Sequence, residues 1–162
     1  MENAETLVNI LIDNNFTITT AESCTGGMVS SSIIDVANAS KVLNVCFVTY
    51  ANEAKVKYLG VDEETISKYG VVSEEVTAQM ARGAMKEALA DVSLVTSGVA
   101  GPGGGTKYHP VGMVCFGIGI KENVYTYTMR FGDIGRNNVR TQATSFVINK
   151  AIELLKELGY SK

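Results

Sequence analysis

The 162-residue chain is expected to fold as a three-layer α/β/α sandwich around a mixed, mostly parallel sheet of about five strands. Three observations lead there. Runs rich in β-branched residues alternate with segments of helical period, and short polar or glycine-bearing stretches separate them. The last two strand-like runs are joined by a turn too short for a helix, and one long helical stripe closes the chain.

Taken in order, residues 2–13 place Leu7, Ile10 and Leu11 at helical spacing before the stop "NN". "FTITTAE" reads as a buried strand ending near Glu22, and "TGGMVSSSIIDVAN" opens a helix with Met28, Val29, Ile33, Ile34 and Val36 on its apolar face. "VLNVCFVTYA" is a second strand. "NEAKVKYLG" is a short helix, with Asn52 as its expected N-cap and Gly60 as its stop. "DEETISKYG" supplies another helical turn or two, and Ser73 caps a longer helix whose first turn is acidic, as the macrodipole prefers. "DVSLVTSGVAG" is a third strand running into the loop "GPGGGTKYHPVG". "MVCFGIGIK" and "NVYTYTMRF" form a hairpin. From about Arg136 a helix carries Val139, Ala143, Phe146, Val147, Ala151, Leu154 and Leu158 on one stripe.

Residues 1–162 read as a single domain, since 46% of them are apolar and no repeat is visible. A net charge of −3 without any Lys/Arg cluster argues against nucleic acid and for a small-molecule partner. The opening "MENAETLVNILIDNN" lacks a basic region and an apolar span, so a cytoplasmic protein without membrane association is expected. Cys24, Cys46 and Cys115 form no C-x-x-C pair, so neither a disulfide nor a zinc site is expected.

In parallel sheets of this kind, ligands sit beyond the carboxyl ends of the strands, which draws Ser23, Tyr50 and the 97–105 loop together. The lone histidine, His109, lies in a glycine loop, and neither G-x-S-x-G nor S-x-x-K occurs, so a lysine is the leading base for a serine nucleophile. Lys55, on the helix leaving the second strand, is the best candidate, with Lys57 as its solvent-facing neighbour. It can act only if burial or a nearby cation keeps part of it uncharged, and Tyr50 could hydrogen-bond both serine and lysine. A lysine on a short helix is more often simply solvated.

Thr25, Gly26 and Gly27 could offer backbone amides to an anion or oxyanion, or could only permit tight packing. Cys24 is a rival nucleophile: a helix N-terminus would lower its pKa, and Glu22 with a lysine would complete a nitrilase-like set. "GPGGGTK" is not a Walker loop, because no G-K-[ST] follows and a strand succeeds it. It is left as a ligand lid or a plain surface loop. Arg136 and Arg140, four apart, could clamp a phosphate or carboxylate, or could both be solvated.

The blocks "TAESCTGG", "FVTYANEAK", "GVVSEE", "SGVAGPGGG", "PVGMV" and "RNNVRTQA" together resemble the CinA C-terminal domain family, from about residue 5 to 158. These are competence/damage-inducible proteins whose single-domain members include nicotinamide-mononucleotide deamidases. The resemblance implies an amidohydrolase needing no metal or other cofactor, which converts nicotinamide mononucleotide to nicotinate mononucleotide and ammonia. It implies Ser23 as nucleophile, Tyr50 and Lys55 as its activating partners, and Ser97 as a small hydroxyl at the third strand's exit. At least one of Arg136 and Arg140 would serve the substrate, amides near Gly26 and Gly27 or between Gly98 and Gly101 would hold the oxyanion, and the protein would be a homo-oligomer. A departure is His109 before Pro110, where the family usually carries lysine. The alternative function is a non-catalytic nucleotide-binding or competence-linked regulatory module.

Overall fold

The computed structural model describes residues 2–160. Its elements are α1 (Glu2–Asp13), β1 (Ile18–Glu22), α2 (Met28–Ile34), a 3-10 turn (Ala39–Lys41), β2 (Phe47–Val48), α3 (Asn52–Leu59), α4 (Glu63–Tyr69), α5 (Glu74–Ala88), β3 (Val92–Gly98), β4 (Met113–Ile120), β5 (Asn123–Arg130) and α6 (Arg136–Glu157). The sheet order is β2-β1-β3-β4-β5. β1 pairs parallel with both β2 and β3, while β4 runs antiparallel to its two neighbours. Four strands therefore share one direction, and the expected mixed, mostly parallel sheet is present.

Helices α1, α2 and α6 pack together on one face, and α3, α4 and α5 on the other. The first interlayer core gathers Leu7, Ile10, Ile33, Leu94, Phe116 and Val147; the second gathers Ala21, Val76, Met80, Ala84 and Val95. Because both faces are covered, β1 is buried along its whole length and β4 likewise, which is why these strands read as continuous rather than alternating apolar runs. Close approach of α5 depends on glycine. A Cβ at Gly117 would stand 2.4 Å from the Thr77 carbonyl oxygen. In the space so gained, Thr77 donates its hydroxyl to the Phe116 carbonyl (3.2 Å), and Ser93 donates to the Ala81 carbonyl (3.0 Å).

Four local expectations change. The strand foreseen over residues 42–51 shrinks to Phe47–Val48. Leu43 makes one bridge to Ile18, and then the chain leaves the ladder, with the Thr19 hydroxyl taking the Val45 carbonyl (2.8 Å) in place of a backbone partner. Helix α2 starts only at Met28, because Gly26 and Gly27 adopt φ of +55° and +108°. Ala51, in extended conformation, is the N-cap of α3, which makes Asn52 the first helical residue. Leu158 lies past the end of α6 and is exposed, so the buried stripe ends at Leu155. Ser73 does cap α5, accepting from the Val76 amide (3.3 Å), and Gly60 stops α3 in a left-handed conformation.

Replacing Gly117 with alanine should destabilise the protein by about 1–3 kcal/mol, because the opposing atom is backbone and cannot step aside. Gly103→Ala, with nothing within 4 Å of the new methyl group, should stay within about 0.5 kcal/mol. Urea denaturation of the two variants checks the contrast.

Candidate active site

β1 and β3 lie side by side, and their carboxyl ends deliver Ser23 and Gly98 to the same edge of the sheet. Thr49 and Tyr50 arrive from the end of β2. The Thr49 amide donates to the Glu22 carbonyl (3.0 Å), which carries the parallel pairing one step beyond the strand. α3 then turns back so that Lys55 points beneath this edge.

Lys55 is 0% exposed. Its Nζ lies 3.1 Å from Ser23 Oγ, 2.6 Å from the Thr49 carbonyl oxygen and 3.2 Å from that of Tyr50. No salt bridge is formed by this ammonium among the described residues. Burial without a counter-charge penalises the protonated form and lowers the pKa from 10.5 to about 8. The three neighbours have a further consequence. Carbonyl oxygens accept but never donate, so a neutral Lys55 spends its two N–H bonds on Thr49 and Tyr50 and leaves its lone pair for the Ser23 hydroxyl proton. The arrangement suits a general base.

The rival set built on Cys24 and Glu22 is not assembled. Cys24 packs against the core while bordering the cavity beside Ser23, and burial pushes its thiol up to about 11 rather than down. All three cysteines are free, and burial raises each of them; such thiols are weak nucleophiles near neutral pH. The Glu22 carboxylate is occupied elsewhere. It accepts the Val29 amide (2.8 Å), the Ser30 amide (3.0 Å) and the hydroxyls of Thr25 (2.7 Å) and Ser30 (3.0 Å), and so caps α2 from the end of β1.

That cap also corrects the reading of the glycines. The α2 amides that could have met a ligand are taken by Glu22, and the Gly26 amide donates to the Ser23 carbonyl (3.1 Å). Gly26 and Gly27 let the chain turn, and neither of them lines a cavity beside Ser23. Thr25 is fully buried, bonded to Glu22 and Thr96.

Above Lys55 opens an inner cavity of about 200 Å³, lined by Ser23, Tyr50, Lys55, Val72, Ser97 and Arg136 among others. Tyr50, Val71, Val72, Gly98, Ala100 and Arg136 also border an outer cavity of about 350 Å³, completed by the glycine loop and His109. Ser97 donates to the Val71 carbonyl (2.9 Å), fastening the α4–α5 connection to the cavity wall. A Cβ at Gly98 would meet the Met113 carbonyl oxygen at 2.8 Å, so the bare backbone there keeps β4 close. Ala100, Gly101, Gly103 and Gly104 border this space, and among the described residues their amides donate to no backbone acceptor. No cluster of His, Cys, Asp and Glu suited to a metal ion occurs among the described residues, and no helix is long and apolar enough to cross a membrane.

The Tyr50 hydroxyl does not reach Ser23 or Lys55. The residue is 62% exposed, and its hydroxyl accepts from Arg136 (3.2 Å), so only the Tyr50 carbonyl touches the lysine. The two arginines separate. Arg136 bonds the Gly101 carbonyl (2.7 Å) and Tyr50 and borders both cavities. Arg140 instead bonds the carbonyls of Cys24 (2.8 Å) and Thr25 (3.2 Å), tying α6 to the turn after β1.

An α/β/α domain that holds a buried lysine against a serine bordering a cavity, at the carboxyl edge of the sheet, has its cavity where open α/β sheets take small ligands. The CinA C-terminal domain family model matches residues 1–158, and the chain belongs to that family. It is 45% identical over 150 residues to a competence-damage inducible protein of Caldicellulosiruptor saccharolyticus, an alignment covering 91% of this chain and 36% of the relative. It is 46% identical over 145 residues to a CinA-like protein of Kosmotoga olearia, covering 90% and 35%. The chain thus spans about a third of the length of these curated relatives. Among solved structures, a CinA superfamily protein from Escherichia coli superposes with a TM-score of 0.91 at 37% identity, covering 94% of this chain and 88% of that one. A competence/damage inducible protein from Agrobacterium tumefaciens gives 0.84 at 37%, covering 96% and 95%.

Burial of Lys55 should leave a signature in stability. Its folded pKa is depressed, so between pH 8 and 10.5 the unfolded chain binds the extra proton and stability rises with pH. Below pH 8 the full penalty, about 3 kcal/mol, is present. Lys55→Met lacks it, so the stability difference between variant and wild type should shift by about that amount in favour of wild type from pH 7 to pH 10.5. Urea denaturation at the two pH values reads the shift; a pH-independent difference would show a lysine that titrates normally.

Proposed function

We propose that this domain is an amidohydrolase that deamidates nicotinamide mononucleotide to nicotinate mononucleotide and ammonia. The observation that carries the reading is the uncompensated Lys55 amine held 3.1 Å from Ser23 Oγ at the floor of a cavity. The reaction follows acyl-transfer logic. Neutral Lys55 takes the Ser23 proton as Oγ attacks the carboxamide carbon, and the tetrahedral oxyanion forms. The lysine ammonium then returns that proton to the departing nitrogen, releasing ammonia and leaving an ester on Ser23. Water, deprotonated by the same amine, attacks the ester, the lysine ammonium returns that proton to the departing Ser23 Oγ, and the acid product ionises to its carboxylate by losing a proton to solvent. Each half-reaction leaves Lys55 neutral again.

The remaining parts of the substrate match the two cavities. The inner one is of a size for an aromatic carboxamide, and the outer one for a ribose phosphate. Arg136 stands at their boundary as the cation for the phosphate, with the unpaired amides of the glycine loop beside it. Donors from that loop replace Gly26 and Gly27 as the group available to a developing oxyanion. Tyr50 acts through its carbonyl on Lys55 and through its hydroxyl on Arg136, which links base and phosphate ligand through one residue.

Purified protein incubated with nicotinamide mononucleotide should release ammonia and yield the acid product by mass spectrometry. Lys55→Met should lower kcat by about 10²–10⁴-fold, and Ser23→Ala should abolish turnover. The wild-type kcat/KM should rise with pH and level off above about 8, as the amine loses its proton. Tight binding without ammonia release would instead favour the non-catalytic nucleotide-binding module.

Arg136→Ala should raise KM for the mononucleotide by about 10-fold or more while changing turnover of the phosphate-free riboside little, since a charge-assisted hydrogen bond is worth roughly 1.5–3 kcal/mol. Steady-state kinetics on both compounds gives the comparison.

A further inference from the structure

Behind Ser23, on the side away from the cavity, lies a chain of buried side chains that the reaction as written does not use. Thr96 pairs with Glu22 in the β1–β3 register and is fully buried, as are Thr25 and Glu22. The Ser23 amide lies 3.1 Å from the Thr96 carbonyl oxygen and 3.4 Å from its hydroxyl oxygen. Thr96 Oγ1 is 2.8 Å from Thr25 Oγ1, and Thr25 donates to Glu22 Oε1 at 2.7 Å.

The direction of every proton in this chain follows from the ends. Glu22 Oε1 already accepts the Val29 amide, and Thr25 spends its single hydroxyl proton on the same oxygen. Thr25 can therefore only accept from Thr96, so the Thr96 proton points away from the site. Its lone pairs are left for the Cys24 thiol and for the Ser23 amide, whose hydrogen is shared between the Thr96 carbonyl oxygen and, at longer range, this hydroxyl. Ser23 N–H, Thr96, Thr25 and the Glu22 carboxylate thus form one oriented line, anchored where Glu22 caps α2. Oriented chains of buried hydrogen bonds hold a single geometry, because every alternative leaves a polar group unpaired in a dry interior.

We propose that Thr96 is a positioning residue for the Ser23 nucleophile: its hydroxyl, oriented by Thr25 and Glu22, fixes the backbone of residue 23 so that Oγ stays over the Lys55 amine. The inference rests on Ser23 being the nucleophile of the proposed amidohydrolase, and it assigns to β3 a part in catalysis that no cavity contact would reveal. Thr96 touches no part of the cavity.

The test compares Thr96→Val, which keeps shape and loses the hydroxyl, with Thr96→Ser, which keeps the hydroxyl and loses a methyl group. Two rates are read: deamidation of nicotinamide mononucleotide, and covalent labelling of Ser23 by a small fluorophosphonate, followed by intact mass. The valine form should lose about 100-fold in kcat and in labelling rate, as a displacement on the order of 1 Å does in oriented sites, with KM unchanged within about twofold. The serine form should stay within about threefold of wild type in both. A merely structural role predicts the reverse order, the isosteric valine active and the serine impaired, and that result would overturn the proposal, as would a folded valine variant labelled at the wild-type rate. If the valine form does not fold, Thr96→Cys, of similar volume and only feeble hydrogen bonding, carries the same expectation. Labelling separates the two readings: wild type that labels at Ser23 but releases no ammonia defeats the proposed substrate and leaves the Thr96 comparison intact.

Discussion

The site depends on an amine sealed from water with no anion to hold its proton. Lys55 costs the fold free energy whenever it is charged, and nothing about α3 as a helix requires it, since neighbouring Lys57 faces solvent. What keeps Lys55 in place is geometric. Two carbonyls at the end of β2 accept its N–H bonds, and Ser23 closes the third direction. Burial without a counter-charge disfavours the ammonium, and the neutral amine can give its two N–H bonds to the carbonyls and aim its lone pair at the hydroxyl.

Around that contact the structure divides labour among residues of like chemistry. Of the two arginines one helical turn apart on α6, Arg136 borders the cavities while Arg140 holds the Cys24 and Thr25 carbonyls. Of the three adjacent polar side chains in "ESC", Glu22 caps α2, Ser23 meets Lys55 at the cavity and Cys24 joins the core cluster at the cavity's border. The strand-to-helix turn rotates successive side chains into different surroundings, so sequence neighbours acquire unrelated roles. The anion-binding use foreseen for the Gly26–Gly27 segment fails for the same reason: a carboxylate of the same chain already fills the position a ligand would take.

Much of this was legible before any coordinates. Apolar period marked α1, α2 and α6, cap and stop residues marked α3 and α5, and continuous apolar or β-branched runs marked β1, β3 and β4, because burial on both faces leaves no room for alternation. The strand-end rule brought Ser23, Tyr50 and the 97–105 loop to one edge. β2 was read too long, since an edge strand can surrender its ladder bonds to side chains such as Thr19, and propensity carries no record of that exchange. The Thr96 contact with Ser23 was missed because it spans 73 residues and leaves no periodic mark. A signal for Glu22 did exist: a carboxylate ending an apolar strand just before T-G-G has to find donors, and the next helix offers them.

The amino-acid sequence by itself determined the layer architecture, the candidate nucleophile and the candidate base, because hydrophobic period and residue type act locally. Only tertiary packing decided that burial lowers the Lys55 pKa and raises that of Cys24, that the carbonyl of Tyr50 and not its hydroxyl meets Lys55, and that one arginine of the pair borders the cavity. A pKa and a hydrogen-bond partner are properties of the surroundings, and those surroundings are assembled from β1, β2, β3 and α6, which meet only once the chain has folded.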